Sequence, residues 1–216
     1  MIFDPFGDFA RRGYLRNVLG LKDKAAVDKF EHRLFLRKLP EAVDALRIVK
    51  RVAYRDVLGT HKILFDRVYP WAGQDRAITA PDLRITKGRV EFAHPRDAQA
   101  AVEYALNLAQ DRQAMATRPG EVIGYLAHGH PFLDGNGRTI LIVVDELARR
   151  AGISLDWPNL EKIAYLNALT RELADPGQGK LDAYLAPFIR KAVDRDQGAR
   201  ILGNLRGLGP DGPSEP

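Results

Sequence analysis

The stretch "TILIVVDELARRAG", Thr139 to Gly152, restricts the fold more than any other. Ile140, Leu141, Ile142, Val143, Val144, Leu147 and Ala148 leave almost no polar side on the helix they predict, which runs from about Gly137 to Arg150 and stops at Gly152. A helix apolar around its circumference is stable only when other elements surround it. The chain has the means to do so. It has 216 residues, 45% hydrophobic and 28% charged, enough for one domain with a real core. Whatever stands at the N-terminus of such a helix is therefore held rigidly, and "HPFLDGNGR", His130 to Arg138, stands there.

Around this centre the apolar spacing predicts further helices. One covers 25–38, and Pro40 is expected to start a separate segment through Ile48. Others are expected from Tyr54 to Val68 (ended by Pro70, Trp71 and Gly73), Arg96 to Asp111, Gly120 to His128 with Pro119 in the first turn, Leu160 to Leu173, and Leu181 to Val193. Only "AITAPDLRITKGRVEFAHP", residues 77–95, alternates as strands do, around a turn at Lys87-Gly88. The fold class is mostly α with one small β-hairpin. Residues 1 to about 20 read as an arm, and the Gly/Pro-rich end as a disordered tail.

Several functional classes drop out. With no cysteine there is no disulfide, thiolate metal site or cysteine nucleophile, which fits a reducing compartment. The opening "MIFDPFGDFARRGYL" lacks the basic-then-apolar order of a signal peptide, and no run is long enough to span a membrane. The net charge of +5 is a mild excess favouring anionic ligands. No basic cluster interleaved with aromatics points to nucleic acid. A cytoplasmic protein without membrane or nucleic-acid partners is expected.

The loop before the central helix carries the chemistry. A helix N-terminus exposes free N–H groups and the positive end of the dipole, a ready anion site. Gly135, Asn136 and Gly137 let successive N–H groups line a nest for phosphate oxygens. Arg138 adds a positive fork. Asp134 would repel a phosphate unless a cation bridged them, and Mg²⁺ is the usual bridge. A neutral imidazole at His130 can take a proton from an attacking hydroxyl. Phe132 is expected to face the core and fix the loop. Each residue also has a plain structural reading: a common turn, a packed histidine, an acid in a first helical turn.

Taken together, "HPFLDGNGR" resembles the signature of Fic domain proteins, H-P-F-x-[D/E]-G-N-G-R-x-x-R, over nine consecutive positions. A second block, "HKILFDRVYPWAGQDR", His61 to Arg76, is similar to the segment preceding the flap in that family. The resemblance covers about Ala53 to Phe188. It implies a helical bundle with a β-hairpin flap over the active site, divided as a 1–50 helical arm packing on the core, a 51–195 Fic domain and a 196–216 tail. It implies a protein adenylyltransferase that moves AMP from Mg-ATP to a Ser, Thr or Tyr hydroxyl of a target protein. By position His130 would be the base, Asp134 the Mg²⁺ ligand, Gly135, Asn136 and Gly137 the anion hole, and Arg138 a further phosphate contact. Ile85, Thr86, Lys87 and Gly88 would form the flap that docks the target. Tyr165 resembles a tyrosine lining the base pocket, and reads equally well as helix packing.

The chain departs from the pattern at one point. The second arginine of the signature is Leu141. The inhibitory pattern [S/T]-x-x-x-E-[G/N] has no full match. Thr117 to Glu121 supplies its first part, but Val122 follows. The resemblance thus implies an enzyme not restrained in cis by the usual glutamate, with a small antitoxin-like inhibitor in trans as one option. Alternatives are a Fic-fold transferase using another donor (UTP, GTP, CDP-choline or a phosphate group) and a non-catalytic nucleotide- or protein-binding module. Toxin, regulator and exported-effector roles all occur in the family.

Overall fold

The computed structural model describes residues 16–87 and 90–205. The first long helix, α1 (Lys24–Ile48), starts at Asp23, whose carboxylate accepts the N–H of Ala26 at 2.8 Å. Its buried stripe is Val27, Glu31, Phe35, Leu39, Ala42 and Leu46. The break expected at Pro40 does not occur: the proline lies inside the helix. An interior proline costs about 3 kcal/mol. Leu39, Ala42 and Leu46 continue the buried face past it, and burying each large apolar side chain returns about 1.5–3 kcal/mol. Packing therefore overrides the local breaker.

After α1 come α2 (Tyr54–Phe65) and the single turn α3 (Arg76–Thr79). A short antiparallel hairpin follows, β1 (Thr86–Lys87) and β2 (Val90–Glu91), with Thr86 opposite Glu91 and Lys87 opposite Val90. Its strands are far shorter than the alternating sequence suggests, because Arg76–Thr79 coils into a turn capped by Asp75. Then α4 (Ala98–Leu108), α5 (Arg112–Thr117) and α6 (Pro119–Gly129) lead to the central α7 (Asn136–Ala151). Pro119 opens α6 and Gly152, at φ 87°, closes α7, as expected.

Ile142, Val143, Val144, Leu147 and Ala148 of α7 are buried, against α1, α2, α5 and α6. Arg150 near its end donates to the carbonyls of Leu46 and Val49 at 2.8 and 2.9 Å, which caps α1 and ties it to the centre.

The C-terminal part corrects three expectations. Beyond α8 (Lys162–Ala174), the helix expected over Leu181–Val193 is only α9 (Lys180–Leu185). Pro187 cannot continue it, and the chain passes through a 3₁₀ turn into a strand, β4 (Ile189–Lys191). That strand pairs antiparallel with β3 (Ile153–Leu155), a second small sheet where one hairpin was expected. The segment from 196 on, read as a tail, begins instead as α10 (Arg195–Gly203), which buries Leu202. The arm over 1–15, Gly88 of the hairpin turn and the last eleven residues, 206–216, lie outside the described residues. No helix among the described residues is long and apolar enough to cross a membrane.

Candidate active site

The loop from His130 to Arg138 joins α6 to α7. His130 ends α6 in the left-handed region, φ 41° and ψ 56°. Its ring is half-buried, against Phe92 after β2, with centroids 4.2 Å apart. Phe132 is buried as expected. Asn136 locks the loop: its side chain accepts the N–H of Phe132 at 2.9 Å and donates to the carbonyl of Phe132 at 2.8 Å. The Asn136 side chain thus ties the loop to the start of α7.

Gly135 caps α7 at φ 76°, and no side chain caps that end. A Cβ there would meet Phe65 at 2.6 Å, so the fold itself demands glycine. Gly137 is different. A Cβ on it would meet nothing within 4 Å, and the position is exposed. The side of the first turn at Gly137 is therefore open, and no side chain caps the N–H groups of that turn. A bare helix end with a glycine on its open side is suited to the close approach of an anion.

Asp134 is 46% exposed beside this end, and one carboxylate oxygen accepts the Gly135 N–H at 2.5 Å. Arg138 has partners within the fold. Its guanidinium is ion-paired to Glu31 of α1, lies 4.7 Å from the Phe65 ring centroid, and is 3.7 Å from Asp134. Tyr69 donates its hydroxyl to the other oxygen of Glu31. Burial pushes the Glu31 carboxyl up, against the pull of Arg138. Burial also works against the Arg138 charge, but Glu31 and Asp134 outweigh it and raise its pKa. Glu31 does not sit in the inhibitory pattern: Val27 precedes it by four and His32 follows. Its partner is the signature's first arginine, and Leu141, in place of the second, packs partly buried on the core.

Beneath the loop lies His61 of α2. It is 0% exposed, with its ring stacked on Phe132 at 3.8 Å. The N–H of Gly73 donates to its Nδ1 at 2.9 Å, so Nε2 carries the proton and donates to the Asp134 carbonyl at 3.0 Å. Burial lowers its pKa to about 3, so it is a neutral strut.

At the hairpin, Ile85 accepts the N–H of Phe92 at 3.0 Å, and Thr86 and Lys87 form β1. Tyr165 is not brought to the loop by any ring contact. Its ring neighbours are Trp157 and Tyr184, at 6.2 and 6.5 Å. Among the described residues no group of three or more His, Cys, Asp or Glu could hold a metal. A single half-exposed carboxylate fits Mg²⁺ nonetheless, because that ion keeps waters and takes phosphate oxygens from its substrate.

A profile of the Fic/DOC family matches residues 51–148. The chain is 30% identical over 188 residues to the probable protein adenylyltransferase y4lH of Sinorhizobium fredii, covering 83% of this chain and 91% of that protein. This chain belongs to the Fic/DOC family. It is also 31% identical over 221 residues to the protein adenylyltransferase VbhT of Bartonella schoenbuchensis, where the match takes in 94% of this chain but 44% of the relative. The chain thus spans less than half the length of that protein. The N-terminal FIC domain of Bep8, an effector from Bartonella sp. 1-1C, has the same fold, with a TM-score of 0.69 and 14% identity over 82% of this chain and 91% of that one.

Within this Fic/DOC chain, sequence reasoning found the signature but missed the groups that hold it. Glu31 was discernible as an acid inside the period-four stripe Val27, Phe35, Leu39. His61 and Arg76 stood in the quoted second block without a role. Among these three, only Glu31 carries a signal in the helical pattern.

Proposed function

We propose that this Fic/DOC protein is a protein adenylyltransferase, moving AMP from Mg-ATP to a Ser, Thr or Tyr hydroxyl of a target protein. The observation that carries the reading is the uncapped, glycine-opened N-terminus of α7 at the end of the loop that carries His130 and Asp134. The names of the relatives VbhT and y4lH support the same chemistry.

In this reaction the target hydroxyl oxygen attacks the α-phosphorus, its proton passes to the His130 imidazole, and the bond to the β-phosphate oxygen breaks to release pyrophosphate. The first-turn N–H groups at Asn136, Gly137 and Arg138 stabilise the growing negative charge. Asp134 is the residue that would hold Mg²⁺, which supplies charge neutralisation on the phosphates. Arg138, tied to Glu31, contributes fixed positive charge at the base of the loop rather than a free fork. The strand pair at Thr86 and Lys87 would present the target segment by edge pairing.

Leu141 favours a second reading for the donor. Without a second arginine the terminal phosphate loses a cation, which opens the site to other nucleotides. Restraint by a small protein in trans belongs to the same proposal. The test incubates the protein, Mg²⁺ and a cell lysate with each α-labelled nucleoside triphosphate, with His130→Ala as control. Transfer from ATP that vanishes in the variant supports the reading; transfer only from another nucleotide replaces the donor; no transfer from any of them refutes nucleotidyl transfer.

A further inference from the structure

Arg76 heads the large side chains that the fold hides completely, at 0% exposure. Buried guanidinium groups are ordinarily met by carboxylates. This one spends its fork on backbone carbonyls. Nε donates to His130 at 2.6 Å, and Nη2 to Ala93 at 2.7 Å and Gly129 at 3.4 Å. Nη1 donates to Leu83 at 3.3 Å. The backbone N–H of Arg76 adds a bond to the Pro131 carbonyl at 2.7 Å.

These carbonyls belong to two functional pieces. Gly129, His130 and Pro131 make the turn that aims the proposed base. Among the described residues His130 is the single non-glycine with positive φ. A left-handed L-residue costs about 1–2 kcal/mol and persists only when its surroundings over-determine it. Leu83 and Ala93 flank the hairpin, one before β1 and one after β2. One planar, rigid group therefore closes the root of the hairpin and clamps the strained turn. Two contacts reinforce the link: Phe92 against the His130 ring, and the Ala93 N–H donating to the His128 carbonyl at 2.8 Å.

We propose that Arg76 is a positioning residue that couples the seat of the hairpin to the aim of His130, so that a hydroxyl presented by the hairpin meets the base in register. This rests on the transfer reading above. Arg76 touches neither substrate nor reacting atoms; it acts through the two pieces it joins.

Arg76→Lys tests it. A lysine keeps the charge and most of the stem but loses the fork, so it cannot reach both pieces at once. The variant is expected to fold and to bind Mg-ATP within about twofold of wild type by calorimetry. At saturating α-labelled ATP it should transfer label to lysate proteins on the order of 10- to 100-fold more slowly, the cost of an ångström-scale misplacement. A folded variant with an unchanged rate would overturn the proposal, and so would a rate loss matched by equal loss of ATP binding, since that marks general loosening.

Amide hydrogen exchange on the wild-type protein is the second test and needs neither the variant nor activity. The amides of Phe92, Ala93 and Phe132 should open together, with one free energy. Separate opening of the hairpin root and the turn would refute the coupling. If wild-type protein transfers no label, the function fails, while exchange still decides the coupling.

Discussion

Gly135 and Gly137 stand two positions apart in one loop and serve different masters. At Gly135 a methyl group would strike Phe65 in a left-handed backbone. Gly135→Ala should therefore cost about 2–4 kcal/mol from overpacking and strain together, seen as a lowered midpoint in denaturant melts. Gly137→Ala should leave stability unchanged or raise it by up to about 1 kcal/mol, since alanine is the better helix former and meets nothing. It should nevertheless weaken Mg-ATP binding, because the methyl group stands where a phosphate would approach. Calorimetric titration beside a melt separates the two; intact binding by the Gly137 variant would remove the anion site from this helix end. His61 acts at the same scale. Its folded pKa, about 3, lies below the ordinary histidine value, so the unfolded chain binds more protons between the two. Its contribution is complete above about pH 6.5 and is lost as pH falls toward 3, up to about 5 kcal/mol in all. Stability of wild type and His61→Gln, measured from pH 7 to pH 4, should differ most at neutral pH and converge in acid. Parallel curves would show that the ring titrates in the fold as it does in the unfolded chain.

At the scale of elements, the central helix was plain in the sequence because its whole signal lies within one apolar run. The loop before it was equally legible, as nine adjacent residues that act together. What escaped was long-range. Pro40 reads as a boundary until Phe35, Leu39, Ala42 and Leu46 are seen to share one buried face. The β3–β4 pair is invisible because each strand has three residues and is specified by its partner rather than by its own alternation. Glu31 looked like one more helix acid, and only the fold brings it to Arg138. That pair docks α1 against the start of α7. Breaking an isolated buried pair costs about 3–5 kcal/mol, and Asp134, 3.7 Å from Arg138, offsets part of that here. Glu31→Gln should lower stability by less than that, on the order of 1–3 kcal/mol, in denaturant melts. A variant as stable as wild type would mean that Arg138 is free in solution, available to phosphate as the bare signature suggests.

The whole molecule is a helical bundle organised around one buried helix, and the proposed chemistry belongs to the end where that helix has no side-chain cap. His61 and Arg76, from one block, hold the loop from beneath, Glu31 and Tyr69 hold its arginine, and the chain after the short hairpin lies against His130 through Phe92. This rigidity suits phosphoryl-type transfer, where placement and fixed charge do most of the work. The central claim is attack at the α-phosphorus assisted by His130. Its most direct test supplies ATP labelled at the α position in one reaction and at the γ position in another, with Mg²⁺ and lysate, and follows which label becomes covalently bound to protein. The account predicts α-label on protein that is lost with His130→Ala, and γ-label no greater than lysate kinases give with the His130→Ala variant. Labelling from the γ position that depends on His130, or α-labelling that survives His130→Ala, would contradict it.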